Sequence, residues 1–363
     1  MATTFKTLLN SDIANTRTLL HEAIPITGTI VSGTYQNTPG TEENIKTFAH
    51  GMFEAVYDYP FLSSSANHIF DITAGYSANS VLSGTSARVQ QAKKINIYNQ
   101  HAQTLVGYDS NGNIRDFDTD GNIAEGGSTM KEVFFINFSR LLTKDEIKKD
   151  SFRLSLFSTS SSPGGAIPVP ANRTSAGLRT IGDYGAATTF KSNSPSGEYG
   201  LLYRDATKGD IVGHVYYQAG IAVLTASFFS GAFADPNSVP AGAFRKAVPA
   251  RNFVLTGSTI TSAANAFRFN VHNIEFNNTT ELNSTIYFCR AHTQDYNYSS
   301  NPSYLDASKI RVKNNNPKQQ PVSYITTVGL YSADNELLAV AKLSEPLKKT
   351  PSNEITLRVR LDY

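Results

Sequence analysis

The chain has 363 residues, which is room for roughly two or three domains of ordinary size. Charged residues make up 17% of the sequence, below the roughly 25% of typical globular domains, and the formal net charge of +2 is too small to indicate a nucleic-acid partner. With Cys289 as its one cysteine, the chain cannot form an intrachain disulfide, and no apolar run approaches the roughly 18 residues of a membrane-spanning helix. We therefore expect neither nucleic acid nor a membrane as a partner.

Two helices are predicted near the N-terminus. The first begins at Thr41, which can cap it, and ends near Tyr59 and Pro60, because proline disfavours helical backbone in the residue before it. Its apolar stripe consists of Ile45, Phe48, Ala49, Met52, Phe53 and Val56. The second, over about 87–106, follows from apolar residues at spacings of three and four.

One segment has the spacing of metal ligands. Asp116, Asp118 and Asp120 are followed by Gly121, and the pattern D-x-D-x-D-G resembles the start of a calcium-binding loop. The twelfth position is Gly127, where such a loop has a bidentate glutamate, so the strongest ligand is missing. The three aspartates are thus a weak calcium candidate, and the alternative is a polar turn. We predict no other metal site and no cofactor.

Strand patterns dominate the rest of the chain. VFFINF and SFRLSLF predict two strands within 131–157, separated by a short helix from Thr143 to Lys149. The segment from residue 158 opens with STSSSPGGAIPVP, which has no apolar pattern that could form a hydrophobic core. From Glu198 a β-meander begins. We predict an N-terminal α+β domain (1–157), a polar linker (158–197), a central antiparallel β domain (198–323) and a C-terminal β-module (324–363) that continues the central sheet. The fold class is mainly β with a few helices near the N-terminus, an α+β fold of antiparallel, sandwich-like domains with long loops.

The last forty residues carry the clearest strand signal. Ile355, Leu357, Val359 and Leu361 alternate with polar residues, which predicts a strand with one buried and one wet face. Upstream, 325–331 and 336–343 flank a turn-forming SADN and predict a hairpin, which Pro346 is expected to end because proline cannot donate to a ladder.

Tyrosines and arginines mark the candidate protein interface. QDYNYSSNP (294–302) is an aromatic polar loop, and tyrosine packs well at protein interfaces. The predicted interface residues are Tyr296, Tyr298, Tyr304, Tyr324, Tyr331, Arg358 and Arg360.

Catalytic motifs are missing from the sequence. It contains no G-x-S-x-G elbow, Walker loop, G-x-G-x-x-G, H-E-x-x-H or C-x-x-C. Paired carboxylates of a glycosidase need no such motif, but nothing in the sequence points to them. We predict that the protein is not an enzyme, and two classes remain: a structural assembly protein and a receptor- or glycan-binding protein.

Four stretches carry a resemblance to known proteins: VFFINFSRLLTKDEIKKDSFRLSL, GHVYYQAGIAVLT, STIYFCRAHTQDYNYSSNPSY, and the run from VGLYSADNELLAVAKL to ITLRVRLDY. They resemble virion proteins of contractile-tailed bacteriophages, especially those of cyanobacteria and other aquatic bacteria. The last is similar to a β-module that joins tail fibres to baseplates. The resemblance implies a multi-copy structural protein of the baseplate, with a neck or head-to-tail connector protein or a tail adhesin as alternatives.

The same resemblance implies partners and location but no catalytic residue. Its partners would be other tail proteins of the baseplate, neck or fibres, in a homo-oligomeric or ring arrangement. The protein would lie in the tail of the virion, after assembly in the cytoplasm of the host bacterium.

Overall fold

The structure is a computed structural model that describes residues 5–25, 44–59, 66–81, 83, 89–122, 127–157, 178–229, 259–299, 301, 303, 305–306, 309–310, 318 and 320–363. The described residues are mainly β, with a large antiparallel sheet and four helices, so the predicted β-rich α+β fold is confirmed. The chain forms two compact units. The larger unit is Leu20–Thr280, and the C-terminal unit is Met1–Leu19 together with Glu281–Tyr363.

The strands and helices have the following bounds. The strands up to the meander are β1 (Ile13–Pro25), β2 (Ile45–Thr47), β3 (Glu54–Tyr57), β4 (His68–Tyr76), β5 (Phe117–Asp118), β6 (Thr129–Met130), β7 (Glu132–Phe138), β8 (Glu146–Ile147), β9 (Arg153–Phe157) and β10 (Leu178–Gly182). The later ones are β11 (Lys191–Ser194), β12 (Gly197–Tyr203), β13 (Ile211–Tyr216), β14 (Ile221–Thr225), β15 (Val271–Ala291), β16 (Leu305–Asp306), β17 (Lys309–Ile310), β18 (Ser323–Tyr331), β19 (Leu337–Lys349) and β20 (Ile355–Asp362). The helices are α1 (Val89–Leu105), α2 (Arg140–Thr143), α3 (Ala186–Thr189) and α4 (Ile260–Asn270).

The sheet of the larger unit runs in the order β15-β9-β10-β12-β13-β14-β7-β4-β3-β2, and every neighbouring pair on this path is antiparallel. Strand β7 lies between β14 and β4, and its residues 133–136 are all buried. Phe135 packs in one hydrophobic cluster with side chains of α1, while Phe134 packs against Phe267 of α4, with ring centroids 5.0 Å apart. Because both faces of β7 are covered, its sequence is a continuous apolar run instead of an alternation.

The structure confirms the second predicted helix and corrects the first. Helix α1 (Val89–Leu105) matches the prediction over about 87–106. The helix predicted from Thr41 to Tyr59 is wrong, because β2 and β3 lie there and pair antiparallel, with Ile45 opposite Val56; Thr41 itself lies outside the described residues. Strand β3 also pairs with β4, so sheet pairing overrides the helical spacing of the apolar residues.

The short helix predicted from Thr143 to Lys149 is also wrong. Helix α2 ends at Thr143, and Lys144 has a φ of 53°, in the left-handed region, so the helix cannot continue through it. The following residues Glu146 and Ile147 form β8, which pairs with Thr279 and Asn278 of β15. The strands predicted on either side are present as β7 and β9.

The C-terminal unit contains a two-stranded hairpin and the β15–β20 pair. β18 and β19 form the predicted hairpin, whose turn is closed by the backbone amides of Asp334 and Glu336 donating to the Ser332 hydroxyl. β19 continues to Lys349, so the prediction that Pro346 ends it is wrong. The register jumps from Thr327 opposite Lys342 to Ile325 opposite Leu347. The residues between form a bulge, where a missing proline N–H costs no ladder bond.

Candidate protein-interaction surface

The C-terminal unit buries few apolar side chains. Among its described residues, Ile286, Ala291 and Leu330 are the buried apolar ones, and the hydrophobic clusters of the protein lie within residues 45–276. Strand β20 alternates as predicted, with Arg358 and Arg360 in its exposed row, but its apolar row is half-buried instead of buried. The unit therefore has strand pairing without a core of ordinary size.

Among the described residues of this unit, the β18–β19 hairpin exposes the largest group of apolar side chains. We call this group the hairpin patch, and it consists of Tyr324, Tyr331, Leu337, Leu338, Val340 and Leu347. Gly329 lies opposite Val340, and a Cβ at Gly329 would come within 2.9 Å of the Tyr331 ring, so that ring covers the glycine. Phe5 packs on the Tyr331 ring, with centroids 4.3 Å apart.

Lys349 anchors the hairpin to the loop that follows β15. This buried side chain donates to the backbone oxygens of Thr293 at 3.1 Å and Thr350 at 2.8 Å. The same loop is joined to the N-terminal residues by an ion pair between Lys6 and Asp295. Hydrogen bonds from Lys6 and from a backbone amide lower the pKa of Asp295. The anchored loop carries the exposed side chains of Tyr296 and Tyr298.

The described residues of the predicted interface lie on the hairpin, on the loop after β15 and on β20 of the C-terminal unit. Tyr296, Tyr298, Tyr324 and Tyr331 are exposed, and Arg358 and Arg360 form part of the exposed row of β20. Arg360 is engaged within the sheet by Asp362 at 2.6 Å and by Ser284 at 3.0 Å. Tyr304 lies outside the described residues.

Sequence reasoning missed the aliphatic part of the hairpin patch. Leu337, Leu338, Val340 and Leu347 are all exposed. The available signal was the pair of consecutive leucines directly after the turn, because a strand with one buried face alternates apolar and polar residues and two adjacent apolar residues depart from that alternation.

In the calcium-like motif, Asp116 has other partners than Asp118 and Asp120, which both accept from the backbone amide of Asn122. Asp116 accepts from Ser77 and Asn79, while Asp118 accepts from the backbone amide of Asn122 at 2.8 Å. In the part of the chain that the structure describes, no group of three or more His, Cys, Asp or Glu side chains is placed to hold a metal ion. The pKa of Asp120 is lowered by its side-chain hydrogen bonding with Asp118 and by the hydrogen bond that the Asn122 amide donates to it.

Below this motif a set of buried polar side chains joins the loop to the sheet. Tyr199 donates to Asn193 at 2.8 Å, and His214 lies 3.2 Å from the carbonyl oxygen of Thr119 and 3.4 Å from the Tyr216 hydroxyl. Burial lowers the pKa of His214 to about 4 and raises that of Tyr199 to about 12. Each polar atom named here has an internal partner, so the arrangement supports the loop.

Asp183 is a buried charge that accepts four hydrogen bonds. It accepts from the Tyr217 hydroxyl at 2.9 Å, the Arg153 guanidinium at 3.0 Å, and the backbone amides of Asp150 at 2.8 Å and Phe152 at 3.0 Å. Burial raises the pKa of Asp183, and these four donors oppose the shift. With its acceptor sites occupied, Asp183 links β9, β10 and the end of β13 structurally.

Cys289 is half-buried on β15, opposite Leu357 of β20. Burial, and next the charge of Asp12, raises the pKa of its thiol. A raised pKa reduces the thiolate fraction at neutral pH, so Cys289 is a poor nucleophile.

The described helices include none that is both long and apolar enough to span a bilayer. The chain matches no protein-family model, no curated protein and no solved structure.

Proposed function

We propose that this chain is a non-catalytic assembly protein that binds other proteins through its C-terminal unit. The observation that carries the proposal is the hairpin patch, in a unit with three buried apolar side chains among its described residues. A two-stranded hairpin is marginally stable in water by itself, and exposed apolar patches mark protein contacts. A partner that covers the patch would stabilise the hairpin.

We further propose that the protein is a structural component of the contractile tail of a bacteriophage, in the baseplate. The sequence resemblance of four stretches to tail virion proteins supports this part. Its partners are then other baseplate, neck or fibre proteins, and its place is the virion tail, after assembly in the bacterial cytoplasm. A position in the neck is the alternative, and a map of the particle with this chain labelled distinguishes the two.

The two units have different roles in this proposal. The larger unit is a scaffold, because its central strands are covered on both faces. The C-terminal unit supplies binding free energy: covering an exposed Leu or Val side chain contributes roughly 1.5–3 kcal/mol, and Leu338 and Val340 are 66% and 51% exposed. The chain would therefore enter the particle only after the partner surface has formed.

The test introduces charge into the hairpin patch of the full chain. In phage particles produced with Leu338→Asp/Val340→Asp, we expect the chain to be lost from purified particles but to remain in the lysate. The matched control is Val81→Asp/Leu141→Asp, which changes two exposed apolar residues of the larger unit (86% and 71% exposed). Mass spectrometry of particles and lysate measures both. Incorporation of the hairpin variant at the wild-type level would show that the proposal is wrong.

The exposed tyrosines of the loop after β15 favour a second candidate, a glycan-binding adhesin. Tyr296, held at a φ of 55°, and Tyr298 present their rings to solvent, and aromatic rings pack against sugar faces. A glycan array with the purified chain separates the candidates. Binding that disappears in Tyr296→Ala/Tyr298→Ala would support the adhesin, and the assembly protein predicts no binding.

A further inference from the structure

The outer edge of β20 is open in the part of the chain that the structure describes. There β20 pairs with β15 and with no other strand, and the ladder runs from Ile355 to Asp362 without a register shift. The strand contains no proline and no glycine. Since prolines, bulges and very short strands are devices that keep an open edge from accepting another strand, the backbone of β20 is regular enough to accept one.

The end of the ladder shows which backbone groups face the open edge. Asn283 and Tyr363 each donate an amide hydrogen bond to the carbonyl oxygen of the other, at 3.3 and 2.9 Å. Along an antiparallel pair, such bonded pairs alternate with non-bonded ones, whose N–H and C=O groups point away from the partner strand. Every second residue from Thr356 to Asp362 therefore directs its N–H and C=O groups to the open edge.

The side chains of β20 specify what an added strand would carry. The row that contains Arg358 is exposed, and the row of Leu357 and Val359 is half-buried. Among the described residues no ion pair includes Arg358, and its neighbour on β15 is Phe288, which offers no carboxylate. Opposite charges on directly opposed residues of paired strands are stabilising. An acidic residue beside Arg358 and apolar residues beside the other row would therefore stabilise an added strand.

We propose that β20 binds an extended segment of another protein, which joins the sheet as the strand beyond β20 and alternates apolar with acidic residues. Main-chain hydrogen bonds supply the affinity of such strand addition, and the alternating side chains supply its selectivity.

The arginines exclude a second copy of β20 as the occupant of this edge. Paired antiparallel about Val359, two copies would place Arg358 opposite Arg360, and paired parallel in register they would place each arginine beside its own copy. Like charges directly opposite are destabilising. The segment that binds is therefore a different one.

Fluorescence anisotropy with two short labelled peptides tests the proposal on the purified full chain. In one peptide Val alternates with Glu, and in the other Val alternates with Lys. We expect wild type to bind the Glu peptide at least about fivefold more tightly than the Lys peptide. Arg358→Glu should reverse this order. Lys342→Glu, the same charge change at an exposed position of the hairpin, should leave the order unchanged.

Two substitutions at Thr356 test the backbone contact. Proline removes the N–H that faces the open edge and leaves the ladder bonds to β15 in place, whereas alanine keeps that N–H. Thr356→Pro should weaken binding of the Glu peptide about fivefold to tenfold, and Thr356→Ala should bind it as wild type does.

Four results would overturn the proposal. They are no binding of either peptide, equal binding of both, an Arg358→Glu chain that keeps the wild-type order, and a Thr356→Pro chain with wild-type affinity.

This inference concerns a different surface from the hairpin patch and does not rest on the proposed tail function. Peptide binding to the purified chain decides it, whereas incorporation of the Leu338→Asp/Val340→Asp chain into particles decides the proposed function. That hairpin variant should bind the Glu peptide as wild type does, so either proposal can fail while the other stands.

Discussion

Two buried tyrosines of the larger unit differ in whether the hydroxyl has a partner. Tyr217 and Tyr76 are both 0% exposed and belong to the same hydrophobic cluster. Tyr217 donates to Asp183 at 2.9 Å. The Tyr76 hydroxyl is buried with no hydrogen-bond partner in the described structure. Replacing each tyrosine by phenylalanine removes one oxygen and leaves the ring in place, so the pair isolates the hydroxyl.

The expected effects have opposite signs. Tyr217→Phe leaves the buried Asp183 with three donors instead of four, and a hydrogen bond to a charged group contributes about 1.5–3 kcal/mol, so we expect a loss of about 2 kcal/mol. Tyr76→Phe removes a buried polar group that has no partner, and we expect no loss and a gain of up to about 1 kcal/mol. Burial and the charge of Asp183 raise the pKa of Tyr217, so its hydroxyl carries its proton at neutral pH.

Urea unfolding followed by far-ultraviolet circular dichroism measures both variants against wild type. Comparable m-values are required, because a changed m-value would mean that the unfolding transition itself had changed. Equal destabilisation by the two substitutions, or a larger loss for Tyr76→Phe, would refute the argument that the partner of the hydroxyl decides the energy.

Three further predictions concern pH, the loop anchor and calcium. Burial lowers the pKa of His214 from 6.5 to about 4. As the pH falls below 6.5, the unfolded chain therefore takes up a proton at this histidine before the folded chain does. The free energy of unfolding falls as a result, by about 2 kcal/mol at about pH 5. His214→Gln should remove that part of the loss in urea unfolding at about pH 7 and about pH 5. Lys349→Met removes the donor that holds the loop after β15, so the free energy of unfolding should fall by about 1–3 kcal/mol. Amide hydrogen exchange of residues 292–298 should become faster. Faster exchange throughout the chain would contradict a local anchor. Millimolar calcium or EDTA should leave the melting temperature unchanged, since Asp116 and Asp118 already bind different partners; a calcium-dependent rise would reveal a site.

The spacing of apolar residues predicted an element correctly where that element has a single apolar face, either one stripe along a helix or one row along a strand. The spacing of apolar residues placed α1 within two residues of its observed bounds, and the alternation of Ile355 to Leu361 placed β20. The SADN turn with strand patterns on both sides placed the hairpin. These features depend on residues close together in the chain, so the sequence carries them directly.

Pairing between distant segments decided the elements that were predicted wrongly. The apolar residues between Ile45 and Val56 fit a helix as well as two short strands, and β4 selects the strands by pairing with β3. Likewise Glu146 and Ile147 form a strand because β15 lies beside them. The partners of Asp183 come from 30 or more residues away along the chain, and no local spacing identifies them.

The sequence by itself determined that the chain is β-rich, that it ends in a hairpin and an alternating strand, and that it lacks familiar catalytic motifs. Only the tertiary structure decided which apolar faces are covered. The alternation of β20 says that one face is apolar, but burial depends on what packs above that face, and within the described chain the hairpin patch stays exposed. The proposed interface rests on this difference between side chains that the sequence shows to be apolar and side chains that the fold actually buries.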